Sequence, residues 1–234
     1  MPRTPFTFAV LGCAALSAQT AGASLPAGCK PLAPQQVVES FLSADCAACW
    51  QQPDPASTVT GPRTLRLDWI VPGDLGDDAP LAAAALPEAK ARLKTPLVPA
   101  DSSVQQQRLP SPLPGVQLAV QSGLAWNGYI GLAFDLRQGR KPLPADAQGW
   151  VALVERVPAG QDGSAVQRQL VRALAGPLPL TFAPGQRQLQ HLRAVLVPPN
   201  SRGERLAAVG WIASANGRML MAAQSAPAGC ATPE

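Results

Sequence analysis

Two cysteines separated by two residues are the feature of this chain whose spacing most directly suggests chemistry. Cys46 and Cys49 stand in residues 45–50 (DCAACW). If this segment opens a helix, both sulfurs lie at its N-terminus, where free backbone N–H groups and the helix dipole stabilise a thiolate. The first cysteine would then be the exposed nucleophile, and the second would resolve the mixed disulfide. The spacing predicts thiol–disulfide exchange, with an inert structural disulfide as the alternative.

The N-terminus has the pattern of an export signal. Arg3 supplies a positive charge, residues 6–18 form a short apolar run, and small residues precede a predicted cleavage after Ala23. We expect a signal peptide over residues 1–23 and a periplasmic or secreted protein without a stable membrane span. The alternative is a lipobox that would acylate Cys13.

Four cysteines remain after this cleavage, which suits an oxidising compartment. They are Cys29, Cys46, Cys49 and Cys230, and they allow three pairings. We favour a Cys46–Cys49 bond, because a loop of this size closes easily on itself. Cys29 and Cys230 would then form a structural disulfide that joins the two ends of the mature chain. The crossed pairings remain alternatives.

Composition and motifs argue against several other classes of protein. The formal net charge is +4, only 5% of the residues are aromatic, and the basic residues are scattered, so we expect no nucleic-acid partner. The chain has one histidine and no second CxxC, which argues against zinc. It also lacks a Gly-x-Ser-x-Gly elbow and a phosphate-cradling glycine motif. We therefore predict neither a metal nor another cofactor.

Elements that could position the dithiol are visible on both sides of it. Residues 35–42 alternate like a strand that runs directly into the dithiol, and residues 63–71 predict a second strand. Residues 79–93 are rich in helix-forming types, although Pro87 must kink or restart a helix there. Residues 98–114 are polar and contain prolines, which is typical of a linker.

The second half of the chain predicts mainly strands. Strand-like runs occupy residues 116–120, 129–136, 150–157, 191–197, 206–213 and 218–223. Asn216–Gly217 separates the last two runs and is a strong hairpin signal. One helix is predicted over residues 164–174, with Ser164 as its N-cap and Gly176 just past its end.

Two motifs resemble a known family. Residues 37–49 (VVESFLSADCAAC) and residues 65–69 (LRLDW) are similar to the VVELFTSQGCSSCPPAD and LxxHVDYWD segments of an exported bacterial family. This family belongs to the thioredoxin-like class and is catalogued as domain of unknown function 1223. Residues 94–97 (KTPL) are similar to its Tyr-Thr-Pro-Gln segment. The chain departs from the family at residues 50–53, where WQQP replaces Pro-Pro-Ala-Asp, and it lacks the Tyr-Trp-Asp segment.

The resemblance implies an α+β or α/β fold class. A thioredoxin-like part would span residues 30–112, and a β-rich, mainly antiparallel part of the same family unit would span residues 113–230. In the thioredoxin class a Thr-Pro of this kind is a cis-proline that faces the dithiol, so Thr95 and Pro96 are predicted to hold an extended peptide substrate. Trp50 is a further predicted substrate-binding residue, since an aromatic side chain there could shield the dithiol.

The predicted function is therefore thiol–disulfide exchange on protein or small thiol substrates, with exported cysteine-containing proteins or a redox protein as partners. The alternative is a non-catalytic binding or assembly module in which the Cys46–Cys49 bond is structural. Two neighbours weaken the expected thiolate stabilisation. Asp45 places a negative charge beside the first cysteine, and Pro53 shortens the helix.

Overall fold

The computed structural model describes residues 33–53, 59, 61–93, 97 and 101–226. Of these described residues, 49% lie in strands and 11% in helical elements, which include two short α-helices. The elements in chain order are β1 (Gln36–Ser43), α1 (Ala47–Gln51), β2 (Thr64–Val71), α2 (Pro87–Arg92), β3 (Ser102–Arg108), β4 (Gln117–Trp126), β5 (Tyr129–Arg137), β6 (Gln148–Val157), β7 (Arg168–Pro179), β8 (Gln188–Leu196), β9 (Leu206–Ala213) and β10 (Met219–Gln224).

The strands form two sheets. A seven-stranded mixed sheet has the order β10-β9-β6-β7-β2-β1-β3, and a three-stranded antiparallel sheet has the order β4-β5-β8. Strands β1 and β2 are parallel and pair along their whole length, so their carboxyl ends meet at one edge of the sheet. Strand β7 pairs in parallel with β2, and Asp68 lies opposite Leu170 in this pairing. The dithiol lies just beyond the carboxyl ends of β1 and β2.

Apolar side chains cover both faces of the seven-stranded sheet. One face packs against the three-stranded sheet, with Leu132 and Phe134 of β5 fully buried between the sheets. Gly149 and Gly210 permit this close packing, since a Cβ at either position would lie 2.9 or 3.3 Å from the Phe134 ring. The other cluster of large side chains includes Trp69, next to α2. Burial on both faces explains why consecutive residues of β1 and β2 are buried.

The outer face of the three-stranded sheet carries an exposed apolar row. Trp126, Tyr129 and Leu196 are register partners across the three strands, and each side chain is more than half exposed. The alternation along β5 places this row on the opposite face from the buried Ile130 and Leu132. The row is therefore directed away from the packed sheets.

The predicted fold class, α+β or α/β with a thioredoxin-like N-terminal half, is wrong. The described part of the chain is mostly β, and the two α-helices found there contain five and six residues. Within residues 79–93 only Pro87–Arg92 is α-helical, because a proline cannot continue a preceding helix and instead starts a new one. The large mixed sheet and the smaller antiparallel sheet replace the helices that the sequence suggested.

Two predicted segments have a different structure for identifiable reasons. Residues 164–174 do not form a helix, because β7 begins at Arg168 and pairs along its length with β6. Leu170 and Val171 are buried in clusters on opposite faces, so the strand lacks the alternation that would reveal it. The predicted linker at 98–114 contains β3, an edge strand whose polar composition resembles a loop.

Several strand predictions are confirmed, including the runs that correspond to β1, β2, β5 and β6. The hairpin prediction at Asn216–Gly217 is also confirmed, since β9 and β10 are antiparallel neighbours on either side of it. Within the described part of the chain, no helix has the length and apolar character needed to cross a membrane.

Candidate functional site

Cys46 and Cys49 are joined by a disulfide, and their Cα atoms are 5.3 Å apart. Cys46 is the N-cap of α1, and the backbone N–H of Cys49 donates to the Cys46 Sγ at 3.1 Å. The pair therefore closes within the first turn of the helix. Since α1 has only five residues, its dipole is weak, in line with the short helix predicted from Pro53.

The two cysteines differ in exposure. Cys46 is only 8% exposed, whereas Cys49 is half-buried. The expectation that the first cysteine is the exposed one is therefore wrong. The reason is its position directly beyond β1, where the Cys46 N–H donates to the Ser43 carbonyl at 3.0 Å and the Ala44 N–H donates to the Val71 carbonyl at 2.8 Å. These bonds hold Cys46 close to the sheet edge.

The Asp45 carboxylate holds the loop that follows β2. It accepts hydrogen bonds from the backbone N–H groups of Asp74 at 2.8 Å and Leu75 at 3.3 Å. A Cβ at Gly73 would collide with the same carboxylate, so a larger residue there would displace it from these two N–H groups. The negative charge that the sequence places beside Cys46 thus has a structural role in connecting the ends of β1 and β2.

A buried arginine from β7 holds the other end of the dithiol segment. The Arg168 side chain is fully buried, and its Nη2 donates to the carbonyls of Cys49 at 3.1 Å, Trp50 at 3.1 Å and Gln52 at 3.0 Å. A helix C-terminus leaves carbonyls without intrahelical partners, and these are favourable acceptors for a cation. Arg168 therefore caps α1 from a strand more than one hundred residues later in the chain.

Asp68 of β2 is the anionic centre of the same network. It is fully buried and accepts from Arg168 Nη1 at 3.3 Å, Arg66 Nη2 at 3.0 Å and the backbone N–H of Gln169 at 2.7 Å. These contacts lie at the single point where β2 and β7 are in register. The network thus connects the dithiol segment to the junction of the two halves of the seven-stranded sheet.

The predicted substrate-binding residue Trp50 is packed inside the molecule. Its side chain is buried, its Nε1 donates to the Asp162 carbonyl at 2.8 Å, and the Arg168 guanidinium lies 5.0 Å from the centre of its ring. Gly163 contacts the ring edge, with an added Cβ placed 3.7 Å from it. Trp50 thus connects α1 with the loop before β7.

Other predicted site residues fall outside the described part of the chain. These are Thr95 and Pro96 of the proposed peptide-binding segment, the pair Cys29 and Cys230, and Cys13 with the signal peptide. Sequence reasoning, conversely, missed Asp68 and Arg168. Asp68 had a visible signal, because it interrupts the apolar strand run of residues 64–71, whereas Arg168 lay in a segment assigned to a helix.

A second charged cluster lies on the opposite face of the seven-stranded sheet. Arg92 forms a two-point ion pair with Glu39, with N–O distances of 2.8 and 2.9 Å, and its guanidinium lies 5.6 Å from the Trp69 ring and 5.0 Å from the Trp211 ring. Glu39 and Arg92 line an open cavity of about 850 Å³. Because Trp69 and Asp68 point to opposite faces of β2, this cluster is separate from the dithiol.

Comparisons with known proteins give a likeness in fold. No family model matches the chain, and no curated protein does either. Among solved structures, HBP35 of Porphyromonas gingivalis matches with a TM-score of 0.51 and 11% sequence identity. The match covers 87% of this chain and 79% of that chain. At this identity the similarity concerns the fold alone.

Proposed function

We propose that the protein exchanges thiols and disulfides through the Cys46–Cys49 pair, with a cysteine-containing protein or a small thiol as its partner. The observation that carries the proposal is the geometry of the pair. The disulfide closes within one helical turn beyond the ends of two parallel strands, and Cys49 remains partly exposed. The sulfur of Cys46, the more buried of the two residues, already accepts a backbone N–H at 3.1 Å.

The different exposure of the two cysteine residues suggests an order of events. A partner thiolate attacks the Cys49 sulfur, the bond between the two cysteines breaks, and Cys46 leaves as a thiolate. The Cys49 N–H is placed to stabilise that charge. A second partner thiolate then attacks the partner's own sulfur in the mixed disulfide and releases Cys49. The partner dithiol becomes a disulfide, and the pair gains two electrons and two protons.

We further propose that this exchange takes place outside the cytoplasm. The support is the export pattern of residues 1–23, since disulfides form and persist in oxidising compartments. The resemblance of residues 37–49 and 65–69 to the exported family catalogued as domain of unknown function 1223 supports the same location. Fractionation of a bacterial expression host would test this location, and we expect the protein in the periplasmic or secreted fraction.

Single-cysteine variants test the exchange directly. Cys46→Ala leaves the Cys49 thiol without its resolving partner, so we expect a stable mixed disulfide with oxidised glutathione or a disulfide-bonded model peptide, detected by intact mass. Cys49→Ala is the matched control and should form adducts more slowly, because Cys46 is the more buried residue. Failure of both variants to form any adduct would contradict the exchange function, and faster reaction of Cys49→Ala would reverse the order of attack.

A specific observation favours a second candidate function. Cys46 is only 8% exposed and the pair adjoins the apolar cluster that contains Leu42 and Trp50, as a structural disulfide would. On this reading the chain is a non-catalytic binding or assembly module, and the bond holds α1 in place. A pair that glutathione cannot reduce would favour this second candidate.

A further inference from the structure

We propose that Arg168 is a positioning residue of the dithiol, which holds the Cys49 end of the pair so that the disulfide closes readily. Its consequence for partners rests on the proposed exchange function, whereas the closing equilibrium of the disulfide can be measured without it. Arg168 belongs to β7, stands 119 residues beyond Cys49 and was not part of the site that the sequence indicated.

The two cysteines are held from different elements of the fold. Cys46 is held from β1, through the hydrogen bond of its N–H to Ser43. Cys49 belongs to a five-residue helix that contains no charged residue and ends two residues later, at Gln51. The Cys49 carbonyl is one of three backbone carbonyls, with those of Trp50 and Gln52, that accept from the Arg168 Nη2. The relative position of the sulfurs therefore depends on a contact between β7 and α1.

Arg168 is itself fixed on several sides. Its Nε donates to the Ser164 hydroxyl at 3.0 Å, its Nη1 faces Asp68 at 3.3 Å, and its plane lies over Trp50. The side chain is fully buried, so bulk water does not screen these contacts. A planar guanidinium can serve this many acceptors from one position, and a lysine ammonium cannot. The arginine thus forms a rigid support for the helix end.

This support should favour the bonded state of the cysteines. Ring closure by two thiols is favoured when their sulfurs are held close together, because less freedom is lost on bonding. Without Arg168, three backbone carbonyls lose a charged donor and the Cys49 end of the segment becomes less ordered. We expect the equilibrium constant for closing the disulfide to fall about tenfold, which corresponds to a rise of about 30 mV in reduction potential.

The test compares arginines on one strand. In Arg168→Met the cation is lost, and in Arg168→Lys the charge is kept without the fork. Arg172→Met is the matched control, because Arg172 is also buried on β7 but contacts Glu155, Pro199 and Ser201 instead of α1. Burial lowers the pKa of Arg172 and the Glu155 carboxylate opposes this shift, so the control also removes a buried, paired cation.

The full-length protein and each variant are equilibrated with glutathione buffers, and the Cys46–Cys49 disulfide is quantified by mass after thiol alkylation. We expect closure to weaken about tenfold in Arg168→Met, to weaken less in Arg168→Lys, and to stay unchanged in Arg172→Met. If Arg168→Met does not fold, the milder Ser164→Ala, which removes one anchor of Arg168, should shift the equilibrium in the same direction.

Three results would overturn the positioning role. The first is a wild-type equilibrium in the folded Arg168 variants, the second is an equal shift in Arg172→Met, and the third is tighter closure without the arginine. Loss of the proposed exchange function looks different. In that case the Arg168 variants shift the equilibrium as expected, while the single-cysteine variants form no adduct with oxidised glutathione or with the model peptide.

Discussion

The dithiol region and the contact between the two sheets are held together in different ways. Around the dithiol, the buried groups include two charged side chains, and Asp68 and Arg168 make directional contacts with strand and helix backbone. Between the sheets, the fully buried side chains of Leu132 and Phe134 belong to an apolar cluster. Apolar burial supplies stability without fixing individual atoms, whereas a buried ion network fixes orientation and tolerates little change.

The contrast predicts that a polar change at the dithiol region costs stability and redox geometry together. Asp68→Asn keeps the volume of the side chain but leaves Arg168 and Arg66 without their common carboxylate. We expect a loss of about 3–5 kcal/mol in the free energy of unfolding, because an unpaired charge stays buried. Urea unfolding measures this loss, and the glutathione equilibrium of the dithiol should shift as in the Arg168 variants. If Asp68→Asn keeps both the stability and the dithiol equilibrium of the wild type, the proposed difference between the two regions is wrong.

A cavity between the sheets should lower the stability of the protein without changing the dithiol equilibrium. Leu132→Ala truncates a fully buried core side chain, so the free energy of unfolding should fall by about 2–5 kcal/mol. The dithiol equilibrium should not change, since Leu132 belongs to a different cluster from Cys49. Measuring both quantities on one sample sharpens the comparison. A shift in the dithiol equilibrium as large as that of the Arg168 variants would mean that general loosening controls the pair.

The smallest expected effect concerns the loop that Asp45 holds. Asp45→Ala removes the acceptor for the N–H groups of Asp74 and Leu75, and the contact lies at the surface. We expect a loss of about 1 kcal/mol in the free energy of unfolding. Hydrogen exchange should accelerate at these two amides while the amides of β6 stay protected. Unchanged protection of the loop would show that other contacts hold it.

The sequence reveals those parts of the site that depend on local patterns. The strands before and after the dithiol, the CxxC spacing and the hairpin at Asn216–Gly217 all follow from alternation or turn chemistry. Arg168 does not, because the side chains around it have good helix propensity and nothing local requires an arginine to be buried. Its role becomes visible only when β7 aligns beside β2, which is a pairing between distant segments.

The fold class failed for a related reason. Helix-forming composition in residues 79–93 outweighed the prolines, and the polar residues of β3 resembled a linker although they pair with β1. In residues 79–93 Pro87 limits the helix locally, whereas for β3 the pairing with β1 decides the structure against local propensity. The dithiol itself was recognisable because its chemistry depends on a spacing of three residues, which local sequence specifies completely.

The reduction potential of the wild-type Cys46–Cys49 pair tests the central claim most directly. The purified protein is equilibrated with glutathione buffers of graded potential, trapped by alkylation, and the bonded fraction is measured by mass. A pair that works in exchange should be half-oxidised above about −250 mV, within reach of thiol partners. A pair that remains bonded throughout the series, with a potential below about −300 mV, would behave as a structural disulfide and contradict the proposed function.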